Sequence, residues 1–295
     1  MPPGSIVRGS WRFDAIGTSW EILTPSPLRR DAAEAVEARI AAYDRTWSRF
    51  RGDSLVARVG REPGAWRLPG EAGPLLDLYR ELHEATDGRM SPLVGASLER
   101  LGYGASISPV ASGPGMPAPA WADALAWDGA VLSTPRPVVL DVGAAGKGQL
   151  VDLVADVLEE HGVDAYTIDA SGDIRYRGEP EGRPLRVALE DPRDPRLAIG
   201  VAELADGALC ASATNRRAWG DGIHHVLDAL TGLPVADVVA TWVTAPSTMV
   251  ADGVATALFL TSPGRIPSSL GAEWARMDSS GRVEASARFP GELFT

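Results

Sequence analysis

The sequence predicts an α+β protein, because its helical patterns gather early in the chain and its strand patterns late. Three further observations bound the molecule. The chain has 295 residues, about one large or two small domains by length. Hydrophobic residues make up 45% and charged residues 23%, close to an average soluble globular protein. Gly (32) and Pro (23) are both plentiful, which marks many turns rather than disorder.

Residues 11–24 begin strand-like and are punctuated by Gly17-Thr18. From Arg29 to Trp47, apolar residues at Ala33, Val36, Ile40, Tyr43 and Trp47 recur at helical spacing. A second helix is predicted from Pro74 to Ala85, with Leu75, Leu78, Tyr79 and Leu82 inward and Asp87-Gly88 ending it. Residues 104–120, rich in Gly, Ser, Pro and Ala, read as a flexible loop. Then come a strand at Val138–Val142, a tight turn at Gly143–Gly148, and a helix at Gln149–His161 followed by Gly162. Asp164–Ala170 is a strand, Ser171-Gly172-Asp173 a turn, and Ile174–Arg177 a strand. Further strands are expected at 185–190, 197–203, 223–227 and 238–243. A last helix spans Thr248 to Thr261, with Ser247 as N-cap and Val250, Val254, Ala257 and Leu258 inward.

Charge and cysteine count narrow the function. A net charge of −11 argues against a duplex nucleic-acid binder, since phosphate contacts need clustered Lys and Arg. Cys210 is the only cysteine, so neither an intrachain disulfide nor a cysteine metal knuckle is available. No apolar run approaches the ~18 residues of a membrane span. Met1–Ser5 lacks the basic and apolar regions of a signal peptide. The expected location is cytoplasmic.

Three constellations could carry chemistry. Gly143-Ala144-Ala145-Gly146-Lys147-Gly148 lies between a predicted strand and helix, where free amides and a mobile lysine would attract phosphate. No Ser or Thr follows Lys147, so this is not a Walker A loop. A plain tight turn with an exposed lysine fits equally well. His225 and Asp228, three apart at a strand end before Thr231-Gly232, suit an acid, base or orienting pair for a hydroxyl nucleophile. They also suit a capped turn. Asp252 and Thr256 share one helix face at i,i+4, offering hard oxygens to Mg²⁺. A solvated Asp and a Thr bonded to its own helix are the alternative. Asp173, Ser212 and Arg216 either meet a ligand or serve turns and surface.

Taken in order, these segments resemble the flavin-transferase (ApbE) family of FAD:protein FMN transferases. The family's Met-Gly-Thr is similar to Ile16-Gly17-Thr18, and its Ser-x-Tyr/Phe segment to Ser48-Arg49-Phe50 with Asp53-Ser54. Its Leu-Asp-Leu-Gly-Gly-x-x-Lys-Gly run resembles Leu140–Gly148, with Asp152 beyond. Its Asn-x-Gly-Gly-Asp turn resembles Asp169–Asp173, and its Ser-Gly-x-x-x-Arg resembles Ser212–Arg217. Its His-x-x-Asp-Pro-x-Thr-Gly resembles His225–Gly232, and its Ala-Asp-Ala-x-x-Thr-Ala resembles Ala251–Ala257.

The resemblance implies a single domain over 1–295, built of mixed, largely antiparallel sheets packed with helices. It implies FAD as substrate and Mg²⁺ held by Asp252, Thr256 and the carbonyl of Ala144 or Ala145. Gly17, Thr18, Gly143, Lys147, Asp152, Ser171, Gly172, Asp173, Ser212, Arg216 and Thr231 would meet FAD. His225, oriented by Asp228, would help deprotonate the acceptor hydroxyl.

This chain departs from the family at Gly88–Pro92, at Ser171 and Ala213 where glycines are usual, and at Ala229 where proline is usual. Two other readings share the fold: an FAD diphosphatase, and a non-catalytic FAD-binding or delivery protein. The family's acceptor motif, Asp-x-x-Ser/Thr-Gly-Ala/Ser-Thr, is started by Asp228–Gly232 and broken at Leu233. The expected acceptor is therefore another protein carrying that motif.

Overall fold

A computed structural model describes residues 9–104, 110–178, 183–216, 218–219 and 223–294. Residues 105–109 of the expected loop, and Arg217, lie outside these. An eight-stranded sheet organises the molecule. Its strands in chain order are β1 (Gly9–Ala15), β2 (Thr18–Thr24), β3 (Tyr166–Asp169), β4 (Asp173–Arg177), β7 (Gly207–Ala213), β8 (Val238–Ala245), β9 (Glu273–Asp278) and β10 (Val283–Ala285). They lie side by side in that order, each antiparallel to its neighbour. Between β4 and β7 the chain makes a long hairpin, β5 (Leu185–Asp191) and β6 (Asp194–Leu204), which Gly291–Leu293 extends to three strands.

The sheet is apolar on both faces, and its two-residue period separates two cores. Ala208 and Cys210 face one way, Leu209 the other. The bulge between Val238 and Ala240 puts Val238 in the first core and Ala240 and Trp242 in the second. The first core is covered by helices α1 (Arg30–Trp47), α2 (Ala72–Ala85), α3 (Gly146–Glu160) and α4 (Thr248–Ala257). The second lies against β5 and β6.

Several expectations hold with small changes of boundary. The first helix starts at Arg30, and its buried residues include Val36, Tyr43 and Trp47. The third starts at Gly146, inside the predicted turn. The fourth begins after Ser247, whose hydroxyl accepts from the Val250 amide, and ends at Ala257. Val138–Val142 differs in kind. Its alternating Val138, Leu140 and Val142 are buried, but the segment joins no sheet. Its amides go instead to short helical turns, Val138 to the carbonyl of Val59 at the end of helix Leu55–Val59 and Asp141 to that of Pro92 at the start of the 3-10 helix Pro92–Val94. The strand expected at 223–227 is only two bridges, Ile223–His224 and Leu227–Asp228. Gly64–Arg67, Val131–Thr134 and Ala126–Trp127 form a further small sheet. Among the described residues no helix is long and apolar enough to cross a membrane.

Candidate active site

The site is built where the starts of α3 and α4 meet under the sheet's hairpin tips. Glycine makes the meeting possible. A Cβ at Gly148 would lie 2.3 Å from the Thr248 carbonyl and 2.7 Å from Asp252 Cβ, so only a bare backbone lets the helices come this close. The Gly148 amide donates to Asp252 Oδ2 at 2.9 Å. On the same face of α4, the Thr256 hydroxyl lies 3.5 Å from the Ala144 carbonyl. A buried carboxylate, a hydroxyl and a carbonyl thus converge from two elements. These are the hard oxygens Mg²⁺ prefers, in a number that leaves positions for water or phosphate. Among the described residues no three His, Cys, Asp or Glu side chains gather as a metal cluster. A cation here would draw on neutral oxygens beside Asp252.

The helix start differs from the expected cradle of free amides. Gly143 donates to Asp141 Oδ1 at 2.8 Å and Ala144 to the Tyr79 hydroxyl at 3.2 Å. Ala145 and Gly146 both donate to the Val142 carbonyl. The buried Tyr43 hydroxyl lies 2.9 Å from the Gly146 carbonyl and 3.0 Å from Gln149 Oε1. The turn is held rigid by tyrosines from α1 and α2, at positions that read only as core in the sequence.

Lys147 is also placed differently from the mobile charge expected. Its Nζ donates to the Ala170 carbonyl at 3.0 Å and pairs with Asp173, itself buried. Burial pulls the Lys147 pKa down, but the Asp173 and Asp252 carboxylates outweigh it and leave the pKa above the ordinary lysine value. The lysine therefore ties the α3 start to the β3–β4 turn. Asp152 ties α3 to the start of α4. Its two oxygens accept from the Thr248 and Met249 amides at 2.8 and 2.9 Å, capping α4 with a carboxylate where the helix dipole favours one.

Two hairpin tips complete this side. Ile16 and Gly17 turn β1 into β2 with φ of 47° and 77°, the left-handed pair of a tight hairpin. Ser171 and Gly172 turn β3 into β4, also left-handed at 54° and 97°. The Ser171 hydroxyl donates to the Ser19 carbonyl at 2.9 Å, fastening one tip to the other. This brings Gly17, Thr18, Ser171, Gly172, Asp173 and Lys147 together. Ser212 follows on β7, where the neighbouring Ala211 amide donates to the Gly172 carbonyl. Arg216 does not join them. Its guanidinium bonds Glu190 of β5 at 2.7 Å and is mostly exposed.

The His225–Gly232 segment forms a separate lobe of the site. His224 is buried, with Nε2 2.7 Å from the Val235 carbonyl and Nδ1 accepting from the Val226 amide at 3.3 Å. His225 beside it is half-buried. Asp228 turns its carboxylate to the Leu230 amide at 2.9 Å and to Arg89 at 3.7 Å, so it braces the hairpin. The Thr231 hydroxyl closes that hairpin, 3.4 Å from the Asp228 carbonyl. Residues 89–92 bridge this lobe to the turn. The Arg89 carbonyl accepts from Ala229, and the Pro92 carbonyl from Asp141.

The antiparallel α+β fold and this ordered set of turns define a protein class. The ApbE family model matches residues 16–278, and the chain belongs to that family. An FAD:protein FMN transferase of Klebsiella pneumoniae (strain 342) is 27% identical over 275 residues, covering 84% of this chain and 77% of that protein. One from Rhodobacter capsulatus is 29% identical over 263 residues, covering 83% of this chain and 50% of that protein. Among solved structures, the ApbE protein of Thermotoga maritima superposes with a TM-score of 0.84 at 24% identity, covering 97% of this chain and all of that one. The flavin transferase ApbE of Vibrio cholerae gives 0.81 at 22%, covering 96% and 98%.

Proposed function

We propose that this chain is an FAD:protein FMN transferase, moving FMN from FAD to a Ser or Thr hydroxyl of another protein and releasing AMP. One observation carries the reading within the family: the convergence of Asp252, Thr256 and the Ala144 carbonyl where α3 and α4 meet. Those three oxygens would hold Mg²⁺. The ion, when bound, supplies charge neutralisation on the diphosphate and polarises the phosphorus under attack.

The chain's own residues do the rest. The Gly143–Gly148 turn and the joined tips at Gly17-Thr18 and Ser171-Gly172 form a rigid frame around FAD, as phosphoryl transfer needs positioning above all. Lys147 fixes the spacing between these two parts. His225 accepts the proton of the acceptor hydroxyl, and Asp228, paired with Arg89, holds the hairpin that carries it. The hydroxyl oxygen bonds to the FMN-side phosphorus as the bond to AMP breaks, and AMP leaves with the electron pair. Leu233 interrupts the acceptor-like run at Asp228–Gly232, so the acceptor is a second protein with a Ser/Thr-Gly-Ala/Ser-Thr-like motif.

The test is intact-mass analysis after mixing the protein with FAD, Mg²⁺ and a domain bearing that motif, with AMP followed by chromatography. An FMN-sized gain on the acceptor, abolished by EDTA and by Asp252→Ala, is the expected result. AMP release without that gain would favour an FAD diphosphatase. Bound FAD with no AMP would favour a binding or delivery protein.

A further inference from the structure

Beside the Gly143 turn sits an arginine that the chemistry above does not use. Arg49 lies just beyond α1, and its side chain is 4% exposed. Its Nε donates to Asp141 Oδ2 at 2.6 Å and its Nη2 to the Tyr103 carbonyl at 2.7 Å. The guanidinium lies 4.3 Å from the centroid of the Phe50 ring and 5.1 Å from that of Tyr103. Its Nη1 is buried without a hydrogen bond, and the Glu99 carboxylate stands 3.7 Å from it. Burying a cation with one donor unsatisfied costs stability. The guanidinium sits between the Gly143 turn and the Phe50–Tyr103 pair, in contact with both.

We infer that Arg49 is a positioning residue, locking the aromatic pair Phe50–Tyr103 to the Gly143 turn through Asp141. One carboxylate serves both sides. Asp141 Oδ1 holds the Gly143 amide while Oδ2 holds Arg49. A Cβ at position 143 would stand 2.9 Å from Oδ1 and press on this carboxylate. At the other end, Tyr103 stacks on Trp219 with centroids 5.0 Å apart and planes at 15°. Phe50 meets Tyr103 edge-on at 5.7 Å and is 44% exposed. The path from turn to open ring is thus two short charge-assisted hydrogen bonds and a cation–π contact, and a guanidinium offers the fork and the flat face together. The inference rests on the transferase reading. FAD joins a diphosphate to planar rings covalently, so the spacing between a phosphate turn and an aromatic face decides whether both engage at once.

The test measures AMP release against FAD concentration, and FAD affinity by its fluorescence, for wild type, R49K, R49M and D141N. The KM for FAD and its Kd are expected to rise at least ten-fold in all three variants. At saturating FAD, kcat should change less than three-fold. R196M, which removes an exposed arginine paired with Asp194, keeps both constants at wild-type values. R49K with wild-type KM and Kd would overturn the proposal, as would a lowered Tm with KM unchanged. If R49M does not fold, R49K and D141N decide the matter. A wild-type protein that neither binds FAD nor releases AMP overturns the transferase reading itself, and this role with it.

Discussion

Two adjacent histidines show how much of the site is decided residue by residue. The Val235 carbonyl and the Val226 amide fix His224 as a neutral ring protonated at Nε2. Burial pushes its pKa below the ordinary value, and the Val235 hydrogen bond only partly opposes this. Below a pH of about 6.5, the unfolded chain takes up a proton that folded His224 resists. Its contribution to stability is therefore whole at neutral pH and is lost as pH falls through that region. Thermal melts from pH 7 to pH 5 should show the wild-type Tm falling more steeply than that of His224→Gln. Parallel curves would place the pH dependence elsewhere. Nothing in the pair's spacing says which ring is buried. His225 stands out in the sequence through Asp228 three residues on, and the resemblance to a family motif adds to that.

At the scale of elements, the α3–α4 contact is the joint on which the candidate metal site depends. Gly148→Ala would push a methyl group into the Thr248 carbonyl and Asp252. Overpacking of this kind costs about 1–3 kcal/mol. Urea unfolding should show that loss, and the Mg²⁺ concentration needed for AMP release should rise. A variant as stable as wild type would mean the helices can separate without consequence. The helices themselves were legible, since their apolar residues recur at 3.6-residue spacing over long runs. Val138–Val142 reads as a strand because alternate burial looks the same whether an extended segment pairs in a sheet or borrows carbonyls from short helical turns. The clamps on the α3 start were not legible either. Tyr43 and Tyr79 are distant from the turn in sequence, and only the fold brings their hydroxyls to it.

For the molecule as a whole, the sheet with a core on each face is expected to keep the single cysteine inert. Cys210 points into the core beneath the helices and is fully buried. Its Sγ lies 3.5 Å from the Thr248 carbonyl. Burial raises its pKa well above the ordinary value, and Asp173 and Asp252 raise it further. Reactivity requires both access and thiolate, and the fold denies both. A chromogenic disulfide reagent should leave the native protein untouched for hours and titrate one thiol on unfolding. Immediate reaction in native buffer would show that the helical layer opens readily. The α+β class was legible from the order of helices and strands along the chain. The all-antiparallel strand order was not, because local patterns do not record which distant strands become neighbours.

The β1–β2 tip has a bearing on protein engineering. Ile16 holds a left-handed backbone that a branched side chain adopts only at a cost of about 1–2 kcal/mol. Asn followed by glycine is the dipeptide that forms such a turn with least strain. The molecule thus keeps an unused margin of heat resistance in a single dihedral angle. A designer seeking a hardier protein would find it at position 16, next to the two residues proposed to meet FAD, where robustness and turnover would have to be weighed against each other.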